Sequence, residues 1–230
     1  MKPVPSPRHN EASLPPFLLS IWIACWAGTL ALLLGTAIAW GLTRSRSPRK
    51  WIWETLVLTP LILPPTLTGY YLLILLGQRG LGPLTERWFG FRFIFSVQGA
   101  ILAATITALP LVTQVVQSSL GDVGRQVQEA ARVDGASEWQ VFLRISLPLA
   151  WRGLLAGGIL GFLRAMGDFG TTLMIAGNIP GRTQTMAMAI YDAAQANDLA
   201  RANQYALILS AVAFGLLFIA MKLRQRVDGK

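Results

Sequence analysis

Charge is scarce in this chain. Only 13% of its 230 residues are Asp, Glu, Lys or Arg, about half the share of a soluble domain. Hydrophobic residues make up 53%, and mean hydropathy is +0.49. That balance excludes an ordinary water-soluble enzyme. One cysteine, Cys25, excludes an internal disulfide and a cysteine-based zinc site. One histidine, His9, leaves no material for a multi-histidine metal centre or a Ser-His-Asp triad. The four lysines are Lys2, Lys50, Lys222 and Lys230, and none follows a glycine-rich turn. The chain therefore carries no phosphate-binding P-loop, and any energy must come from another polypeptide or an ion gradient. Aromatic residues are plentiful, with 10 Phe, 8 Trp and 4 Tyr, which excludes disorder.

What is there is a set of long uncharged runs. Phe17–Leu42, Thr55–Gln78 and Phe93–Gly121 span 26, 24 and 29 residues without a charge. Each exceeds the roughly 20 residues that cross about 30 Å of hydrocarbon. Tyr205–Met221 adds 17. A further run starts at Gly153 and continues apolar to Ile175 if Arg164 and Asp168 are accommodated. The expectation is an all-α, multi-pass membrane protein with five spans, about 17–42, 55–78, 93–120, 153–175 and 205–221. They are preceded by a segment 1–16 and followed by a tail 223–230. The first run is far longer than the core of a cleavable signal, so it is read as a retained helix. Trp22, Trp26, Trp51, Trp53 and Trp88 fall near span boundaries, as interfacial anchors do.

The net charge of +9 calls for no nucleic acid. Five spans place Arg44, Arg46, Arg49, Lys50, Arg125, Arg132, Arg144, Arg152, Lys222, Arg224, Arg226 and Lys230 on one side. Lys2, Arg8, Arg79, Arg87, Arg92, Arg182 and Arg201 fall on the other. Basic loops stay cytoplasmic, so the N-terminus is expected outside and the C-terminus inside. Within the spans, Pro64-Pro65 should kink or break the second helix. Gly153, Gly157, Gly161 and Ala165, four apart, put small residues on one face of the fourth, where another backbone can approach closely. That partner belongs either to the same chain or to a second copy.

The segment 122–152 is the longest connection on the cytoplasmic side. Its first helix, about Gly124–Val133, ends at Asp134-Gly135, with Gly135 suited to a left-handed cap. Ser137 and Gln140 form a capping box for a second helix. Glu138 lies in the first turn of that helix, Val141, Phe142 and Ile145 share an apolar face, and Pro148 is expected to stop it. Such a helix lies flat on lipid headgroups or docks a partner.

The pattern Glu129-Ala130-Ala131, two residues, Asp134-Gly135-Ala136, eight residues, Ile145, one residue, Leu147-Pro148 resembles the EAA loop of the membrane subunits of ABC importers. Leu63-Pro64-Pro65-Thr66, Gly69-Tyr70-Tyr71, Gly77 and Gly80–Pro83 resemble molybdate-type permeases. So do Gly167-Asp168-Phe169-Gly170 and the run from Gly177 through Asn178-Ile179-Pro180-Gly181-Arg182-Thr183-Gln184 to Thr185. Asp168 departs from the glutamate expected at that place. The resemblance implies a type I importer permease core, non-catalytic and without a cofactor of its own, in a bacterial inner membrane. It implies a homodimer with the route between two copies, two cytoplasmic ATP-binding subunits, and an extracytoplasmic protein that delivers an oxyanion. Molybdate comes first, with tungstate or sulfate as alternatives. Coupling to the ATPases would fall to Glu129, Ala130, Ala131, Asp134, Gly135, Ala136, Trp139 and Phe142.

Arg164 and Asp168, one helical turn apart, can pair. Either the pair is structural, or Arg164 stands beside the route of the oxyanion with Asp168, Thr171, Thr172 and Asn178 supplying further polar groups. From the residues alone, a gradient-driven carrier or channel is the rival reading.

Overall fold

The computed structural model describes residues 15–45 and 47–228. Most of the N-terminal segment expected outside, with Lys2, Arg8 and His9, lies outside the described residues, as do Arg46 and Lys230. The described residues form helices α1 (Pro16–Arg44), α2 (Lys50–Ile62), α3 (Pro65–Leu76), α4 (Gly82–Phe89), α5 (Val97–Gly121) and α6 (Arg125–Val133). There follow α7 (Glu138–Leu149, with a π-helical turn at Phe142–Ser146), α8 (Trp151–Met166), α9 (Gly170–Ala176), α10 (Met186–Gln195) and α11 (Leu199–Asp228). No strand occurs among the described residues, in line with the all-α expectation.

Three helices are long and apolar enough to cross a membrane alone: α1, α5 and the Leu199–Phe218 part of α11. Two bent pairs, α2 with α3 at 111° and α7 with α8 at 74°, would bring the number to as many as five if each pair counts as one span. The first bend is a full break. Leu63 precedes one proline and Pro64 precedes another, and a residue before proline is pushed out of the helical region. Both are extended, with ψ of 143° and 135°. The second bend corrects the expectation for Pro148. The Leu147 N–H reaches back five residues to the Phe142 carbonyl, and this wider turn accommodates the proline ring. α7 runs on to Leu149, and the chain turns instead at Ala150 (φ −87°, ψ 9°). The expected 153–175 span also divides, because α8 ends at Met166 and α9 starts at Gly170.

The core is a seam of α1, α5 and α8. Its buried residues are mostly small: Ala24, Ala27, Ala31 and Ala39 on α1, and Ala100, Ala104 and Ala108 on α5. Lipid supplies no hydrophobic drive between helices, so close packing of small residues takes that role. The stripe Gly153, Gly157, Gly161 and Ala165 is buried. A Cβ added at Gly161 would sit 2.6 Å from Val112 Cγ2, and one at Gly153 would run into the Ser119 side chain. Its partner is therefore α5 of the same chain. A Cβ on Gly28 of α1 would lie 3.1 Å from Phe162 Cα. α11 packs on α10 and α8 and is otherwise almost wholly exposed.

Candidate functional site

The segment between α5 and α8 is held by caps that are written in its sequence. α6 ends in a Schellman motif. Gly135 has φ +86°; its N–H donates to the Arg132 carbonyl (3.0 Å), and that of Ala136 to the Ala131 carbonyl (2.9 Å). Ser137 then caps α7 reciprocally: the Gln140 N–H donates to Ser137 Oγ (3.3 Å) and the Ser137 N–H to Gln140 Oε1 (2.7 Å). Gly135 is the residue that makes the tight corner possible, since a left-handed φ costs other L-residues about 1–2 kcal/mol.

Side chains then tie this corner to the end of α1. Glu138 accepts from Arg132 Nε at 2.8 Å and pairs with Arg44 Nη2 at 3.3 Å. The Arg132 hydrogen bond holds the Glu138 carboxyl below the ordinary glutamate value of 4.5; partial burial opposes this and the Arg44 charge assists it. Phe142 is 6% exposed, with its ring stacked on Trp40 at 4.6 Å. Trp139 meets Trp40 edge-on at 5.4 Å, and the Arg44 guanidinium lies over the Trp40 ring at 5.2 Å. Of the residues expected to couple, Glu129, Ala130, Asp134, Gly135 and Trp139 are exposed, Ala131 and Ala136 are half-buried, and Phe142 faces inward as an anchor. Sequence reasoning missed Trp40 and Arg44, which are remote in the chain. An open cavity of about 800 Å³ separates α6 from the end of α1 and the start of α2, with Arg44, Lys50, Gln128, Glu129 and Arg132 among its lining.

A second feature forms where the broken helices meet. Thr171 Oγ1 donates to the Pro65 carbonyl at 3.0 Å, so the start of α9 sits against the α2–α3 break. A Cβ on Gly170 would lie 3.1 Å from Pro65 Cβ. Asp168, in the α8–α9 break, is 2% exposed. Its Oδ1 accepts from Arg164 Nη1 (3.3 Å), and its Oδ2 accepts from the Thr172 N–H (2.9 Å) and Thr172 Oγ1 (2.6 Å). The Arg164–Asp168 pair expected from the spacing is formed, and it bridges the two helices across their break. Thr171 and Thr172 are buried, with both hydroxyls committed to protein partners. The Arg164 side chain stays 28% exposed. Interrupted helices inside a membrane are tolerated where protein covers them or where they line a polar cavity, and many transporters bind solutes at such interruptions.

Asn178 belongs to a different cluster. Its Nδ2 donates to Asp192 Oδ1 (2.6 Å), and Gln184 Nε2 donates to Asp192 Oδ2 (2.7 Å). Asp192 was not singled out by the sequence; only its amide partners fall inside the motif.

The geometry has known counterparts. The chain is 38% identical over 216 residues to the putative molybdenum transport system permease protein YvgM of Bacillus subtilis, covering 94% of this chain and 95% of that protein. It is 39% identical over 175 residues to the molybdenum transport system permease protein ModB of Escherichia coli, covering 76% of each. Its fold matches a chain of the MetNI methionine ABC transporter in an inward-facing conformation, with TM-score 0.71 at 17% identity, covering 91% of this chain and 93% of that one. Residues 27–229 match the model of the binding-protein-dependent transport system inner membrane component. Interrupted apolar helices, a capped surface corner and this match together make the chain a member of the binding-protein-dependent transport system inner membrane component family.

Proposed function

We propose that the chain is the membrane subunit of an ATP-driven molybdate importer. Two copies enclose the route, the N-terminus faces outward and the C-terminus lies in the cytoplasm. An extracytoplasmic protein delivers the anion. Two cytoplasmic ATPase subunits grip the 122–152 segment, reading Glu129, Ala130, Asp134, Gly135 and Trp139 while Phe142 anchors the segment to α1. The observation that carries this reading is the double-capped corner at Asp134–Gln140, tied by Glu138 and Phe142 to the end of a long apolar helix. A corner built that way transmits displacement to α1 instead of absorbing it. Coupling follows if ATP-loaded partners bind one arrangement of the helices better than the other. Arg164 stands beside the anion route at the junction of the breaks. The molybdenum relatives supply the choice of solute.

The test is ATP hydrolysis by the reconstituted assembly as each oxyanion is supplied with its binding protein. Molybdate is expected to stimulate it most; stimulation by sulfate alone replaces the assignment of solute. Gly135→Trp is expected to abolish capture of the ATPase subunits, and undiminished capture ends the coupling proposal in favour of a gradient-driven carrier. Arg164→Gln is expected to abolish uptake while the assembly forms normally; loss of assembly instead makes the pair purely structural.

A further inference from the structure

We infer that Asp168 is a positioning residue that weakens the hold of Arg164 on a passing oxyanion. The inference deepens the proposed function and rests on its placing Arg164 beside the route.

Arg164 and Asp168 are the two charged residues of the stretch 153–175. The carboxylate is unavailable to a solute. It is 2% exposed, and its two oxygens already accept three hydrogen bonds, one from Arg164 and two from Thr172. The Thr172 bonds fix the carboxylate against the first turn of α9. The guanidinium is different. Asp168 engages Nη1, one part of a group with five N–H donors, and the Arg164 side chain is 28% exposed. A dianion can meet this group while Asp168 stays behind it.

The arrangement answers a problem of transit. Conduction needs a site favourable enough to enter and weak enough to leave. A lone guanidinium facing a dianion away from bulk water attracts it strongly, because Coulomb energies rise as the effective dielectric falls. A fixed carboxylate on the far side repels the same dianion and lowers that attraction without blocking access. Thr171 and Thr172, whose hydroxyls serve the protein, add no competing grip.

The experiment uses the full assembly in lipid nanodiscs. Retention of radiolabelled molybdate is measured by equilibrium dialysis without the binding protein, and ATP turnover is measured with it. Asp168→Asn keeps an acceptor for the Thr172 N–H and removes the charge. It is expected to hold molybdate at least about ten-fold more tightly and to turn over several-fold more slowly. Asp168→Glu keeps the charge and is expected to retain molybdate as weakly as the unaltered chain. Asp168→Asn combined with Arg164→Gln is expected to match Arg164→Gln alone. Should Asp168→Asn not assemble, Asp168→Ser, which also caps a helix and carries no charge, must show the same rise. Tighter retention is a gain that a merely damaged fold would not produce. Unchanged or weaker retention in an intact Asp168→Asn or Asp168→Ser assembly overturns the inference. If Arg164→Gln itself leaves retention and uptake unchanged, the proposed route fails first. If it abolishes both while Asp168→Asn changes nothing, the route stands and the role of Asp168 fails alone.

Discussion

Val112 is a methyl-bearing knob seated among three glycines, and that geometry makes the cost of filling the hole calculable. A Cβ at Gly161 would stand 2.6 Å from Val112 Cγ2. The valine has little freedom to yield: its χ1 is stiff, and its Cγ1 lies 3.0 Å from where a Gly35 Cβ would stand and 3.7 Å from that of Gly157. Gly161→Ala is therefore an overpacking substitution, costing about 1–3 kcal/mol. Alanine's better helix propensity returns up to about 1 kcal/mol. Gly41→Ala isolates the packing part, since Gly41 lies in the same kind of apolar helix with nothing within 4 Å of its Cβ position. The two variants should differ in melting midpoint by about 2–12 °C, taking about 2–4 °C per kcal/mol for a chain of this size. The assay is gel filtration of the detergent-purified chain after graded heating, without partner subunits. Val112→Ala should relieve the clash, so the double variant should be more stable than the sum of the single effects by about 0.5–3 kcal/mol. Equal midpoints for Gly161→Ala and Gly41→Ala, or strict additivity with Val112→Ala, would refute the assignment of α5 as the partner of the glycine stripe.

Two further expectations concern the capped corner. Gly135→Ala forces a φ of +86° on a residue with a Cβ, at about 1–2 kcal/mol; Gly135→Asn should be milder, because Asn visits that region more readily. ATP turnover of the assembly should fall with Ala and survive better with Asn, and the reverse order would sink the cap argument. Because the Glu138 carboxyl is held below 4.5, its contribution is complete above that pH and is lost as pH falls through the lower folded value. The melting midpoint of the unaltered chain should therefore drop further between pH 6 and the acid side of 4.5 than that of Glu138→Gln; parallel drops would show that the ion cluster does not matter.

Much of this molecule could be read before folding, and what could not has physical causes. Local motifs were legible. The Gly135 cap, the Ser137–Gln140 box, the break at Pro64-Pro65 and the Arg164–Asp168 pair all depend on residues within one or two turns. Relations between distant segments were not. α5 carries no charge on any face, and its Thr, Ser, Gln and Gly residues are interspersed among the apolar ones, so its sequence does not mark the face that meets Gly161. Hydropathy is equally blind to a break that keeps the composition apolar, which is why 153–175 read as one span. The clue there was Asp168, an acidic residue placed to cap Thr172. Pro148 misled because a π-helical turn beside it absorbs what an α-turn cannot. Trp40 and Arg44, about a hundred residues from Phe142 and Glu138, announce their roles only once α1 and α7 are adjacent.

The break between α2 and α3 has a mechanical consequence. The final α2 bond runs from the Leu63 N–H to the Thr59 carbonyl, and the opening α3 bonds, from the Leu67 and Thr68 N–H groups, converge on the Pro64 carbonyl. Between those two ladders stand two prolines that own no N–H. The angle at this joint can open or close without rupturing any of those rungs, so swinging one arm costs the side-chain grip on its neighbours and leaves each ladder whole. The bond from Thr171 to the Pro65 carbonyl then acts as a tether, passing any swing of that arm to α9 and to the charged pair behind it.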